Sequence, residues 1–282
     1  MTGTDEPPDP ATDGRPVRDN EPTRRKLMAA LAKMGITAGV GLAAGGLIDY
    51  RQEAHADDFS DAKKPEHAWC MVIDLRYCDG CQQCTLACQT RHQLPKEQTW
   101  IKVYTMTDDA GGTYHMPRPC MMCEDPPCVK VCPVGANIHT DDGLVLVDQN
   151  VCIGSRICMA SCPYDARYFN WKEPPPVKRM PMPPSPEMPV PQQKGTVGKC
   201  VFCADRLPHG ELPACVIGCP MGTLYIGDLV TDFAVNSHGD TIKVSQFLRD
   251  NDAVRFREEE GTNPRVYYIL GHGQTWEAES QS

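Results

Sequence analysis

The hydrophobic and polar positions of this chain predict short elements joined by irregular loops. Residues 69–76 (Trp-Cys-Met-Val-Ile-Asp-Leu-Arg) read as a strand, and 82–91 as a short helix after it. Residues 99–105 form a β-like run, followed by a turn over 108–112. Further strands are predicted over 143–148, 166–171 and 223–226, a helix over 243–250, and a last strand over 265–270. The intervening stretch 174–193 is dominated by proline and methionine with no apolar period, which predicts an extended, polyproline-like surface segment: a loop, or a strap along a partner subunit. The tail, 271–282, is polar and loose.

The amino terminus follows other rules. Residues 1–22 are polar, with Pro7, Pro8, Pro10, Pro16 and Pro22 among acidic and small residues, so they predict a leader rather than a fold. Thr23-Arg24-Arg25-Lys26-Leu27-Met28, a Gly/Ala-rich stretch over 34–48 and Ala54-His55-Ala56 then give the order of a twin-arginine export signal. The competing reading is a membrane helix. The apolar part falls short of the roughly 20 residues a span needs, and Gly35, Gly39, Gly41, Gly45 and Gly46 weaken it as a helix. A signal peptide over 1–56 leaves a mature chain from Asp57, a periplasmic location, and no span after cleavage, because no later apolar run is long enough.

Composition changes the picture at one point. Of 282 residues, 41% are hydrophobic and 23% charged, which is ordinary for a globular protein, but 16 are cysteine and 26 proline against 6 phenylalanine. Such a chain is held together by cross-links or metal as much as by an apolar core. A net charge of -9 argues against a nucleic-acid partner, since phosphate binding wants a basic face.

The cysteines repeat. Cys78, Cys81, Cys84 and Cys88 form a Cys-x2-Cys-x2-Cys-x3-Cys run, the bacterial ferredoxin spacing, in which the fourth thiolate serves the other cluster of a pair. The pattern returns as Cys120, Cys123, Cys128, Cys132, then Cys152, Cys158, Cys162, then Cys200, Cys203, Cys215, Cys219. Disulfides are the rival reading for an exported chain with an even number of cysteines. Three thiols on one small loop are poorly placed to find separate partners at disulfide geometry. Zinc builds on Cys-x2-Cys pairs but has no use for a third cysteine two residues on. Proline directly after Cys132, Cys162 and Cys219 turns the chain away from a cluster. In the third run Ser155 stands where the second cysteine belongs, and a serine hydroxyl is a poorer iron ligand than a thiolate. The ligand set therefore predicts three 4Fe-4S clusters and one 3Fe-4S, with four 4Fe-4S as the alternative. Cys70 belongs to no run and reads as a silent strand residue, with a replacement ligand as the alternative. His92, His115, His139, His209, His238 and His272 show no ligand spacing among themselves, so solvated or capping roles are expected.

The four runs, with Met71-Val72-Ile73-Asp74, Cys123-Glu124-Asp125-Pro126-Pro127-Cys128, Asp142-Gly143-Leu144-Val145-Leu146-Val147-Asp148, Lys199-Cys200-Val201-Phe202-Cys203, Leu212-Pro213-Ala214-Cys215 and Pro264-Arg265-Val266-Tyr267-Tyr268, resemble the four-cluster ferredoxin subunit of molybdopterin oxidoreductase complexes: the dimethyl sulfoxide, polysulfide, tetrathionate and nitrite reductase iron-sulfur subunits. The resemblance covers about residues 66–272. It implies that the runs pair first with fourth and second with third, each lending its last cysteine to its mate. Cluster one would use Cys78, Cys81, Cys84 and Cys219, and cluster four Cys200, Cys203, Cys215 and Cys88. Cluster two would use Cys120, Cys123, Cys128 and Cys162, and cluster three Cys152, Cys158 and Cys132, with Ser155 at the vacant position.

The implied fold is α+β, two ferredoxin-like lobes around two cluster pairs: lobe one from 68–92 plus 198–228, lobe two from 116–170, then a C-terminal segment over 229–282. The implied function is electron transfer, without catalysis, between a quinone-reactive integral membrane subunit and a periplasmic molybdopterin catalytic subunit. The alternative is the iron-sulfur subunit of a periplasmic hydrogenase or of a transmembrane sulfur-metabolism complex linked to sulfite reduction.

Overall fold

The computed structural model describes residues 65–108, 111–174 and 184–271. The expected export signal over 1–56, the stretch 175–183 and the tail 272–282 lie outside the described residues.

The fold is built on β1 (Trp69–Asp74), whose β-branched Val72 and Ile73 suit a strand covered on both faces. It pairs in parallel with β12 (Val266–Ile269), Met71 opposite Val266 and Ile73 opposite Tyr268. On its other side it runs antiparallel to β8 (Leu224–Asp228), Met71 opposite Ile226. β9 (Phe233–Val235) and β10 (Thr241–Lys243) extend the sheet beyond β8, and β11 (Val254–Arg255) closes the edge beyond β12. Three two-stranded ribbons stand apart from it: β2 (Lys102–Thr107) with β3 (Thr113–Arg118), β4 (Asn137–His139) with β5 (Val145–Val147), and β6 (Arg167–Phe169) with β7 (Val197–Lys199). The class is mixed α and β with short elements, as the pattern predicts.

Side chains alternate across β1, and that parity divides the interior. Met71 and Ile73 join Leu224, Ile226, Val266 and Tyr268 in a large core that also holds most of the buried cysteines. Cys70 and Val72 face the other way, into a small core with Ala234, Val244 and Ile269 that the helix Val244–Asp250 covers with Phe247 and Leu248.

Several predicted elements shift. The strand expected over 69–76 stops at Asp74, whose carboxylate accepts from the Arg76 backbone N–H at 3.1 Å and pairs with the Arg76 guanidinium at 2.7 Å, starting a 3-10 turn over Leu75–Tyr77. In the run 99–105, Trp100 and Ile101 are buried but precede the strand, which runs Lys102–Thr107. Its partner β3 was hidden by Pro117, which lies opposite Val103 in a two-stranded ribbon, where a missing N–H is tolerated.

The expectation of a surface segment over 174–193 is corrected at its end. Met188, Val190 and Gln192 are buried. The reason is polar satisfaction. Gln192 Oε1 accepts from Gln149 Nε2 at 2.6 Å, and Gln149 Oε1 takes the Gln193 N–H at 2.8 Å, so these two amides draw the chain inward before β7.

Candidate metal centres

The first cysteine run leaves β1 through the 3-10 turn. Asp79 Oδ1 accepts the Cys81 N–H at 3.1 Å, and Gly80 holds φ +75° with no room for a side chain, since a Cβ there would lie 2.6 Å from the His115 ring. The helix Gln83–His92 then carries Cys84 and Cys88 one turn apart on its buried face. The fourth run leaves β7 with Phe202 and Cys203 both at φ +52°, and its helix, Ala214–Ile217, packs on Gln83–His92. Cys219 thereby lines one hollow with Cys78, Cys81 and Cys84.

The two inner runs repeat the scheme. Glu124 and Asp125 donate their N–H groups to the Asn263 and Thr262 carbonyls, which ties the second loop to the C-terminal segment. Its helix, Pro127–Lys130, packs against Ile157–Ala160 of the third run. Gly154 at φ +70° lets the third loop pass the Gly195 carbonyl, which a Cβ would meet at 2.2 Å.

Thiol neighbours follow from the electrostatics. Burial pushes Cys84 up to about 12, with Cys219 and Cys78 adding to it. Burial raises Cys88 and Cys215 well above the thiol range, reinforced for Cys88 by Cys200 and Cys203 and for Cys215 by Cys203 and Cys88. Burial also takes Cys123 up to about 12, and Cys120, Cys128 and Cys162 add to it. Cys132 moves the other way: despite burial, the N–H groups of Val134, Asn137 and Ala136 lower it. The arrangement brings Cys78, Cys81, Cys84 and Cys219 together, then Cys88, Cys200, Cys203 and Cys215, then Cys120, Cys123, Cys128 and Cys162. Ser155 is exposed in the third loop, near Cys152 and Cys158 in sequence.

These residues fit polynuclear metal. Crowded, buried thiols repel one another as they ionise, and only a strongly positive centre makes them thiolates at neutral pH. All sixteen thiols are free, so no pair has taken the disulfide alternative. Among the described residues no three His, Cys, Asp or Glu groups close on a point that would grip a single ion; Cys78, Cys81, Cys84 and Cys219 line a hollow instead.

Three polar groups beside the thiols went unnoticed in the sequence. His92 is corrected from solvated to buried: Nε2 lies 3.3 Å from Cys203 Sγ, the ring tilts on Trp100 at 4.6 Å, and burial lowers its pKa to about 3. A signal existed, since Cys84, Cys88 and His92 recur every four residues on one helix face. Arg167 and Lys199 are fully buried beside the inner cysteines, and nothing in the pattern set them apart from other strand residues. Cys70 lies in β1, as expected, and faces the small core, where burial pushes its thiol up to about 12.

Buried thiols gathered in groups within short strands and helices, one group lining a hollow, define a ferredoxin-type protein. A family described as 4Fe-4S dicluster domain matches residues 112–178 and 186–229. The chain is similar to a putative dimethyl sulfoxide reductase iron-sulfur subunit of Halobacterium salinarum, 38% identical over 227 residues, which cover 74% of this chain and 82% of the relative. It is 37% identical to a selenate reductase subunit of Mesobacillus selenatarsenatis, over 73% of this chain and 74% of the relative. With a tetrathionate reductase subunit of Salmonella typhimurium it shares 35% identity over 73% of each. The chain belongs to the family of iron-sulfur subunits of molybdopterin-type reductase complexes, and is an electron-transfer subunit rather than the catalytic one.

Proposed function

We propose that this subunit carries electrons between a quinone-reactive integral membrane subunit and a periplasmic molybdopterin catalytic subunit, and that it reaches the periplasm by the twin-arginine route. The observation that carries the reading is crossed sharing: Cys219 lines the hollow of the first run, while Cys88 sits among the thiols of the fourth. A protein that shares cysteines between runs couples its centres closely, which one-electron transfer needs and a structural metal site does not. The metal clusters supply the electron carriage; the chain supplies position, burial and hydrogen bonds to sulfur.

The ligand sets proposed are Cys78, Cys81, Cys84, Cys219; Cys200, Cys203, Cys215, Cys88; Cys120, Cys123, Cys128, Cys162; and Cys152, Cys158, Cys132. They form two ferredoxin-like lobes, an outer one and an inner one. Supporting this, the helices of the outer runs pack together, as do those of the inner runs. Cys120 also adds to the upward shift that burial gives Cys200, which supports the second set lying next to the fourth. Three sets hold 4Fe-4S and the set with Ser155 holds 3Fe-4S, because an exposed serine leaves one iron corner without a thiolate. Among the described residues no helix is long and apolar enough to cross a membrane, which fits anchoring through a partner.

The test is anaerobic co-purification with identification of the neighbours and assay of molybdenum, iron and acid-labile sulfide. A molybdenum-free complex would defeat the proposal. Electron paramagnetic resonance of the oxidised protein should show a 3Fe-4S signal that disappears in Ser155→Cys; its absence from the wild type sinks the 3Fe-4S assignment.

A further inference from the structure

Two cations lie where a folded chain rarely leaves them. Arg167 in β6 and Lys199 in β7 are 4% and 1% exposed, and their strands pair with Arg167 opposite Lys199. Among the described residues neither forms an ion pair with a carboxylate. Arg167 Nη1 donates to Asn137 Oδ1 at 2.7 Å, and its Nη2 is buried with no hydrogen-bond partner. Lys199 Nζ donates to the Cys200 carbonyl at 2.6 Å and lies 3.8 Å from the Met122 sulfur, both neutral acceptors. A buried charge with no counter-ion is costly, so a negative centre must stand close to both.

Among the described residues the anionic candidates that face them are thiolates. Around Arg167 these are Cys128, Cys158, Cys120 and Cys162; Lys199 acts on Cys128 and Cys200. Cys128 is common to both groups and belongs to the second ligand set. Arg167 also acts electrostatically on Cys158 of the third set, and Lys199 on Cys200 of the fourth. The two cations thus flank the second set at its two junctions.

We propose that Arg167 and Lys199 are potential-setting residues for the cluster held by Cys120, Cys123, Cys128 and Cys162. This rests on the ligand sets given above. Four thiolates around an iron-sulfide core leave it negative in both oxidation states and more so after reduction, so a fixed positive charge beside it favours the reduced form. Each cation raises the reduction potential of that cluster, and burial away from screening solvent keeps the effect local.

The test is a potentiometric titration of the purified, cluster-loaded protein, read by electron paramagnetic resonance, with the second cluster's signal assigned through Cys128→Ser. Arg167→Gln and Lys199→Gln should each move that midpoint to lower potential, together moving it further, while the cluster assigned through Cys81→Ser stays in place. Arg167→Lys and Lys199→Arg, which keep the charge, should hold the wild-type midpoint. An unchanged midpoint in glutamine variants with full iron content overturns the proposal, and so does an equal shift of all clusters. If the glutamine variants lose iron, the charge-keeping variants decide: iron and midpoint retained supports the charge, iron lost in them as well reduces both residues to shape and overturns it. If Cys128→Ser alters no signal in the wild-type background, it is the ligand assignment that has failed.

Discussion

Cys70 and Cys84 are the same residue type, both buried, both with thiols pushed up to about 12, and only their place on an element separates them. Cys70 looks into the small core, out of reach of any hollow, so Cys70→Ala should leave iron and sulfide content unchanged and cost only about 1 kcal/mol of packing, read as a thermal midpoint. Cys81→Ala should lose iron. Asp228 is a second residue whose role is local. Its carboxylate accepts the Ala68 N–H at 2.8 Å and the Val230 N–H at 2.9 Å and meets His67 Nδ1 at 3.0 Å, tying the start of β1 to β8. Burial alone would raise its pKa, but His67 and those N–H groups hold it below the usual carboxylate range. A depressed carboxylate stabilises the fold above its unfolded pKa, near 4, and that contribution is lost as pH falls through the folded value. Asp228→Asn should therefore cost about 1–2 kcal/mol at pH 7, with the deficit shrinking below pH 4 in thermal unfolding at the two pH values.

Elements matter here through where they stop. A helix over 82–91 was expected from its place after the first cysteine loop, and its actual range, Gln83–His92, carries His92 to the same face as Cys84 and Cys88. Short helices such as Pro127–Lys130 and Ala214–Ile217 were not legible, because four residues cannot show a helical period. They form because the loop before each is held elsewhere, as the Asn263 and Thr262 carbonyls hold Glu124 and Asp125. The third loop depends on Gly154, where any side chain meets both a left-handed φ of +70° and the Gly195 carbonyl. Gly154→Ala should displace that loop and lose the iron of one cluster, seen as loss of the signal of the proposed 3Fe-4S cluster with the other clusters retained.

At the scale of the whole molecule the interior is part metal site. Nine of the buried members of the main core are cysteines, which would lie against hollows without their metal. Removing iron with a chelator under reducing conditions should cost most of the far-ultraviolet circular dichroism signal, and restoring iron and sulfide should recover it. The small core, made of Cys70, Val72, Ala234, Val244 and Ile269, holds no cluster-facing thiol and is the part expected to outlast the loss longest.

Spacing along the chain was enough for the chemistry: thiols every third residue on a loop can hold an iron-sulfide core whatever surrounds them, so the four runs and the family were readable before any fold was known. Local sequence also placed six of the twelve described strands, β1, β2, β5, β6, β8 and β12, because alternation is a nearest-neighbour property. What it could not contain was which distant groups meet. Only the folded chain put His92 beside Cys203, buried Val190 and Gln192 through Gln149, and left Arg167 and Lys199, among the described residues, without a carboxylate partner, since burial and charge pairing are set by residues far apart in sequence.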